Sequence, residues 1–206
     1  MAEQSKWAGR FVAAAIVQGA VAFAILSLLV GMSALQMNPS PGRIVAGGDS
    51  CSVAVTVNNT TWAGTGTATC SSAGMWFVVG MIGYGLVGVM GIAVSALFYQ
   101  YLESTLGAPY TGWRNITAWI HLLLGGVGAS AGCLLMAYGG YMGGAALLPV
   151  SSGGLGKNTF YVHTNILGPL SPYITGLLGL ALLGFFIGGA GYVTAWWAVR
   201  RKKAAE

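Results

Sequence analysis

Charge is what this chain lacks. Of its 206 residues 6% are charged, and none of the four acids (Glu3, Asp49, Glu103, Glu206) and no Lys or Arg falls inside its long apolar runs. Soluble domains carry roughly 25% charged residues, so these few cannot cover the surface of a water-soluble fold. Proton relays, voltage sensors and charge-coupled transporters need intramembrane charge, and its absence argues against all three. The sequence also has no Ser-His-Asp grouping, no H-E-x-x-H, no C-x-x-C and no phosphate-binding glycine loop followed by Lys. The glycines between Gly80 and Gly85 sit within an apolar run, a context that rules out dinucleotide binding. No catalytic residues and no metal-ligand set are expected, and the chain is read as a non-enzyme.

What remains is apolar residue and glycine. The chain is 55% hydrophobic and holds 34 glycines, with a mean hydropathy of +0.72. The glycines lie inside apolar runs, where they read as helix-packing surface rather than disorder. Four runs, about 11–36, 75–99, 116–142 and 172–199, exceed the roughly 20 residues that cross a bilayer core. The first is too long for a signal-peptide core, which has about 7–15 residues. The expected fold class is all-α integral membrane: residues 1–206 form one four-transmembrane-helix bundle with outer loops 37–74 and 143–171. Asn38 to Gly42, NPSPG, breaks the first run, and the alternation in Cys51 to Val57 predicts a short β-hairpin. Ser171-Pro172 reads as the start of the fourth helix, with Ser as cap and Pro in the first turn.

Positive charge then orients the spans. Lys6, Arg10, Arg114, Arg200, Arg201, Lys202 and Lys203 fall on one side, and Arg43 and Lys157 on the other. Seven against two predicts both termini in the cytoplasm, N-in and C-in. The net charge of +5 is concentrated in the tail, as a topology anchor that touches lipid rather than as a nucleic-acid surface. The outward side is oxidising, so Cys51 and Cys70 are expected to form a disulfide that staples the first outer loop. Closing that loop of about twenty residues contributes roughly 3 kcal/mol in the chain-entropy account. Asn58 and Asn59 each open an N-x-[ST] glycosylation sequon in the same loop, and Cys133 reads as a small packing residue.

His121 is the one histidine expected inside the membrane, near its cytoplasmic face. A hydrogen bond to Gln18, at similar depth in the first span, is the structural expectation. The functional alternative is binding of haem b or a quinone headgroup at His121, with Trp119 beside it. His163 belongs to the opposite loop, about 30 Å away, so the two histidines cannot share one haem; Met90 is a candidate to pair with His121, though methionines in apolar helices usually serve packing. Glycine pairs four apart, Gly128 and Gly132, Gly139 and Gly143, Gly140 and Gly144, Gly184 and Gly188, mark grooves for close helix approach. These grooves are filled either by the chain's own helices or by other membrane subunits. The expected function is an accessory or structural subunit of a larger membrane complex, of respiratory or other energy-transducing type. A homo-oligomeric pore for a neutral solute is a further alternative.

Overall fold

The computed structural model describes residues 5–37, 41–46, 51–57, 60–68 and 73–205. Helix α1, Lys6–Ala34, is followed by a short helix α2, Pro41–Ala46, and an antiparallel hairpin of β1, Cys51–Val57, and β2, Thr60–Ala68. Three further long helices follow: α3, Ala73–Thr105, α4, Trp113–Leu147, and α5, Thr159–Lys202. With α1 these are four helices long and apolar enough to cross a membrane.

The hairpin falls where alternation placed it, with Val57 opposite Thr60 and Cys51 opposite Ala68. Cys70, Asn58 and Asn59 lie outside the described residues, and Cys51 is described by its backbone alone. The disulfide and glycan expectations therefore fall there too.

The helices are longer than the apolar runs, because local caps rather than hydrophobicity set their ends. Ser5 accepts the Ala8 N–H on its hydroxyl at 3.0 Å and starts α1 at Lys6. Of the expected loop 143–171, residues 143–147 and 159–171 are helical. Asn158 caps α5 by accepting the Tyr161 N–H at 2.8 Å, and Pro172 sits inside the helix. Upstream, a wide π turn over His163–Leu167 brings the Gly168 N–H to the His163 carbonyl. The ladder is re-registered just before Pro169, which has no N–H to give. The connection shrinks to 148–158. It is tied down by the N–H groups of Gly156 and Lys157, each 2.8 Å from the carbonyls of Leu148 and Ala146.

The chain divides into two compact units: Met1–Leu28, Gly80–Leu135 and Ser171–Glu206 in one, Leu29–Val79 and Met136–Leu170 in the other. The core of the first is aromatic, with Trp7, Phe11, Tyr84, Tyr99 and Ile92 all but fully buried. There Gly128 lies against the Leu177 carbonyl and Gly132 against Leu178, where an added Cβ would come within 3.3 and 2.8 Å. Gly184 is flush with the backbone of Gly125, and Gly188 with the His121 ring. In the second unit, Ala73, Ala146, Val162 and Leu167 form the core. A Cβ on Gly139 would meet Leu170 at 3.0 Å and one on Gly143 would meet Ala73 at 2.7 Å. Gly140 abuts the backbone of Phe77, and Gly144 the side chain of Ile44. Each of these grooves is occupied by the chain itself.

Candidate functional site

His121 is the most distinctive polar residue of the first unit. It opens a π turn, His121–Val127, within α4, and its side chain is 3% exposed. An extra residue in the turn widens the helix locally, and such turns recur at functional positions. Ser95 and Tyr99 stand one turn apart on α3 and face the ring together. Tyr99 Oη lies 3.3 Å from His121 Nδ1, and Tyr192 Oη, from α5, lies 3.4 Å from the same nitrogen. Ser95 Oγ lies 3.5 Å from Nε2 and donates to the Gly91 carbonyl at 2.8 Å. Since the Ser95 proton goes to Gly91, its oxygen can only accept from Nε2, which assigns the ring proton there and leaves Nδ1 to accept from a phenol. One lone pair cannot serve two donors at once, and Tyr192 has a second acceptor in the Ser95 carbonyl at 3.4 Å.

The rest of the ring is enclosed by hydrocarbon. Phe11 lies 5.1 Å away, centroid to centroid, and Phe185 5.6 Å in an edge-on arrangement. Gly188 presses on the ring itself, and a Cβ on Gly125 would come within 3.1 Å of its Cδ2. An external ligand at Nδ1 would have to displace the Tyr99 or Tyr192 hydroxyl, and α5 would have to move back.

Gln18 is not a partner of His121. Its side-chain oxygen accepts from Ser130 Oγ, and its carbonyl accepts from Tyr84 Oη at 2.9 Å. The reason is register. With α1 starting at Lys6 and α4 at Trp113, Gln18 is about 18 Å along its helix and His121 about 12 Å along its own. They belong to different levels of the unit. The Gln18 and His121 side chains are each satisfied at their own level, as a hydrocarbon setting demands.

Beside His121 lies a cluster organised by Glu103, near the end of α3. Its carboxylate accepts from Ser5 Oγ, from the Trp7 N–H at 3.3 Å and from the Tyr110 N–H at 3.1 Å. It therefore caps the positive end of α1 and ties the 106–112 connection to it. Arg10 is clamped between indoles, its guanidinium 4.5 Å from the Trp7 ring centre and 4.7 Å from that of Trp119. Tyr110 packs edge-on to Tyr99 at 4.9 Å, and its buried hydroxyl has no hydrogen-bond partner among the described residues. Burial, with the neighbouring Tyr192 and Glu103, pushes the Tyr110 phenol above its ordinary value, and Arg114 only partly offsets this.

Other sequence candidates are dispersed. His163 is helical and exposed. Cys133 is a buried free thiol against Gly83, in the packing role expected of it. Met90 is 58% exposed, on the outside of α3. Among the described residues no three His, Cys, Asp or Glu side chains gather as a metal site. Sequence reasoning missed Tyr99, Tyr192 and Ser95 around His121. The available signal was the Ser95, Tyr99 spacing of four at the same end of the spans. It also missed Glu103, whose signal was its position as the one acid beside a span boundary.

Comparison with protein-family models, with curated proteins and with solved structures finds no match to this chain.

Proposed function

We propose that the chain is a non-enzymatic accessory subunit of a larger membrane complex of energy-transducing type, with both termini cytoplasmic and Cys51 bridged to Cys70 on the opposite side. The observation that carries this reading is the state of α1. No residue in its most apolar eighteen-residue stretch is buried within the chain. An open groove of about 340 Å³ runs beside it, lined by Gly9, Val12 and Ala13 of α1 and by Ala96 and Leu97 of α3. Small residues along such a groove suit the close approach of a partner's helix. The enclosed ring of His121, with hydroxyls at both nitrogens, favours a structural over a cofactor role for that residue. The four long apolar helices make up most of the chain, as suits a subunit whose contacts are made within the membrane.

The test is purification of the full chain from its own membrane in mild detergent, followed by mass measurement and an absorption spectrum. Stable heterologous membrane partners are the expected result. A solitary homo-oligomer would replace this reading with the pore, and a Soret band or bound quinone would replace it with the cofactor site at His121. Non-reducing peptide mapping tests the disulfide, and a cysteine-labelling scan of the two ends tests the orientation.

A further inference from the structure

The end of α5 combines features that the subunit reading does not use. A groove of about 440 Å³ on its flank is lined by Thr194, Trp197, Ala198 and Arg201. The Thr194 hydroxyl is turned back into its own helix, donating to the Ala190 carbonyl at 2.9 Å and lying 3.0 Å from that of Gly191. The groove wall is thereby left apolar. At its mouth the Arg201 guanidinium lies over the Trp197 ring at 5.2 Å; the neighbouring Arg200, which does not line the groove, lies over Trp196 at 4.2 Å. Both arginines stack on indoles, and among the described residues no carboxylate pairs with either. The one described acid of this unit, Glu103, spends its carboxylate on Ser5, Trp7 and Tyr110. Lys6 and Arg114 belong to the same unit and add positive charge. The C-terminal end of a helix adds only carbonyl groups, so the anion selectivity comes from the side chains.

The geometry points to a binding site for one anionic phospholipid: its phosphate is held by Arg201 at the groove's mouth, with the charge of Arg200 one residue away, and an acyl chain lies along Thr194, Trp197 and Ala198. Guanidinium groups match phosphate geometry in a way that a zwitterionic headgroup, which carries its own cation, exploits less well. The position decides lipid over an acidic soluble protein. The groove opens on the flank of a membrane-crossing helix, beside two indoles of the kind that settle at headgroup depth. This inference does not depend on the subunit reading, since a lone protein would bind the lipid equally.

The experiment uses the purified full chain in neutral detergent, titrated with phosphatidylglycerol or phosphatidylcholine and read by native mass spectrometry as lipid retained per chain. Phosphatidylglycerol should bind in preference, and Arg200→Gln with Arg201→Gln should weaken it about twentyfold, at roughly fivefold per basic residue. Arg200→Lys with Arg201→Lys should keep most of the preference, and unchanged melting of both variants shows that the fold is intact. Trp197→Ala should shorten retention of either lipid by opening the groove. Inorganic phosphate should fail to displace the bound lipid. Equal retention of the two lipids, equal retention by the glutamine variant, full displacement by phosphate, or binding of an acidic protein with no lipid preference would each overturn the site.

Discussion

The most apolar of the long helices is the least buried. The best stretch of α1 has a mean hydropathy of 2.3 and none of it is buried, whereas that of α4 averages 1.8 and is 56% buried. In water the ranking would be reversed, because burial follows apolar area. In lipid the tails are as apolar as leucine, so hydrophobicity gives a helix no reason to leave them, and close packing between helices decides. The small residues of α4 and α5 receive backbone: Gly128 meets the Leu177 carbonyl, and Gly184 meets Gly125. The small residues of α1 receive little. Among the described residues a Cβ on Gly19 would find only Val89, at 3.8 Å, and Gly9 and Gly31 have nothing within 4 Å. What anchors α1 is its first two turns, where Trp7 and Phe11 are buried and Glu103 holds the start of the helix.

The sharpest way to break this contrast is the same substitution on both kinds of surface. Gly184→Ala and Gly176→Ala share the helix-propensity gain of up to about 1 kcal/mol. At Gly176 nothing lies within 4 Å, so the gain should appear as a small stabilisation. At Gly184 the new methyl meets Gly125 backbone, which has no flexible end to yield. We expect a loss above about 3 kcal/mol, measured as loss of folded protein in a detergent-unfolding titration. Equal behaviour of the two variants would remove packing as the explanation.

Next in size is Glu103→Ala, which strips the acceptor from Ser5, Trp7 and Tyr110 together. Hydrogen bonds to a charged group contribute about 1.5–3 kcal/mol each and do not add fully, so the expected loss is about 3 kcal/mol. Glu103→Gln should cost about half as much, since one oxygen remains while the new amide faces N–H or O–H donors. Hydrogen exchange should show the first two turns of α1 opening before the rest, because that is where the lost bonds lie. Uniform opening along α1 would mean that the helix is held elsewhere.

The His121 level should respond less. His121→Phe keeps an aromatic ring against Gly188 but leaves Tyr99 Oη without its acceptor, while Tyr192 retains the Ser95 carbonyl. The expected cost is about 1–3 kcal/mol, the penalty of one stranded buried hydroxyl. Tyr99→Phe alone should cost about 1 kcal/mol, and the double variant should recover part of the His121→Phe loss. A double variant whose losses simply add would show that the two groups do not share a hydrogen bond.

Much of the fold was legible in the sequence because hydrocarbon imposes one rule on it. Runs without charge must be helices, and alternation in Cys51 to Val57 gave the hairpin strand. Boundaries were harder to read, because Ser5, Asn158 and the π turn ahead of Pro169 fix them through hydrogen bonds that a hydropathy pattern does not register. The Gln18 to His121 pairing failed for the same reason. Moving each helix start by a few residues shifted the two side chains by different amounts, and Ser130 took Gln18 instead. His121 itself was identifiable from its isolation in an uncharged run. Of its hydroxyl partners, Ser95 and Tyr99 left a signal in their spacing of four, but Tyr192 did not, since it comes from a helix whose facing side no one-dimensional pattern fixes.

The smallest effect carries the comparison furthest. Phe23 on α1 is 75% exposed, and in lipid its ring exchanges one apolar neighbour for another. Phe23→Ala should therefore change the stability of the isolated chain by no more than about 0.5 kcal/mol. If lipid alone covers α1, the same variant should also leave every assembly of the protein unchanged. If a partner helix covers it, truncating a ring this large should reduce co-purification of that partner severalfold while the chain's own melting stays where it was. The two measurements separate a bare helix from one waiting to be covered, because only the second turns a substitution silent in the chain into a loss between chains.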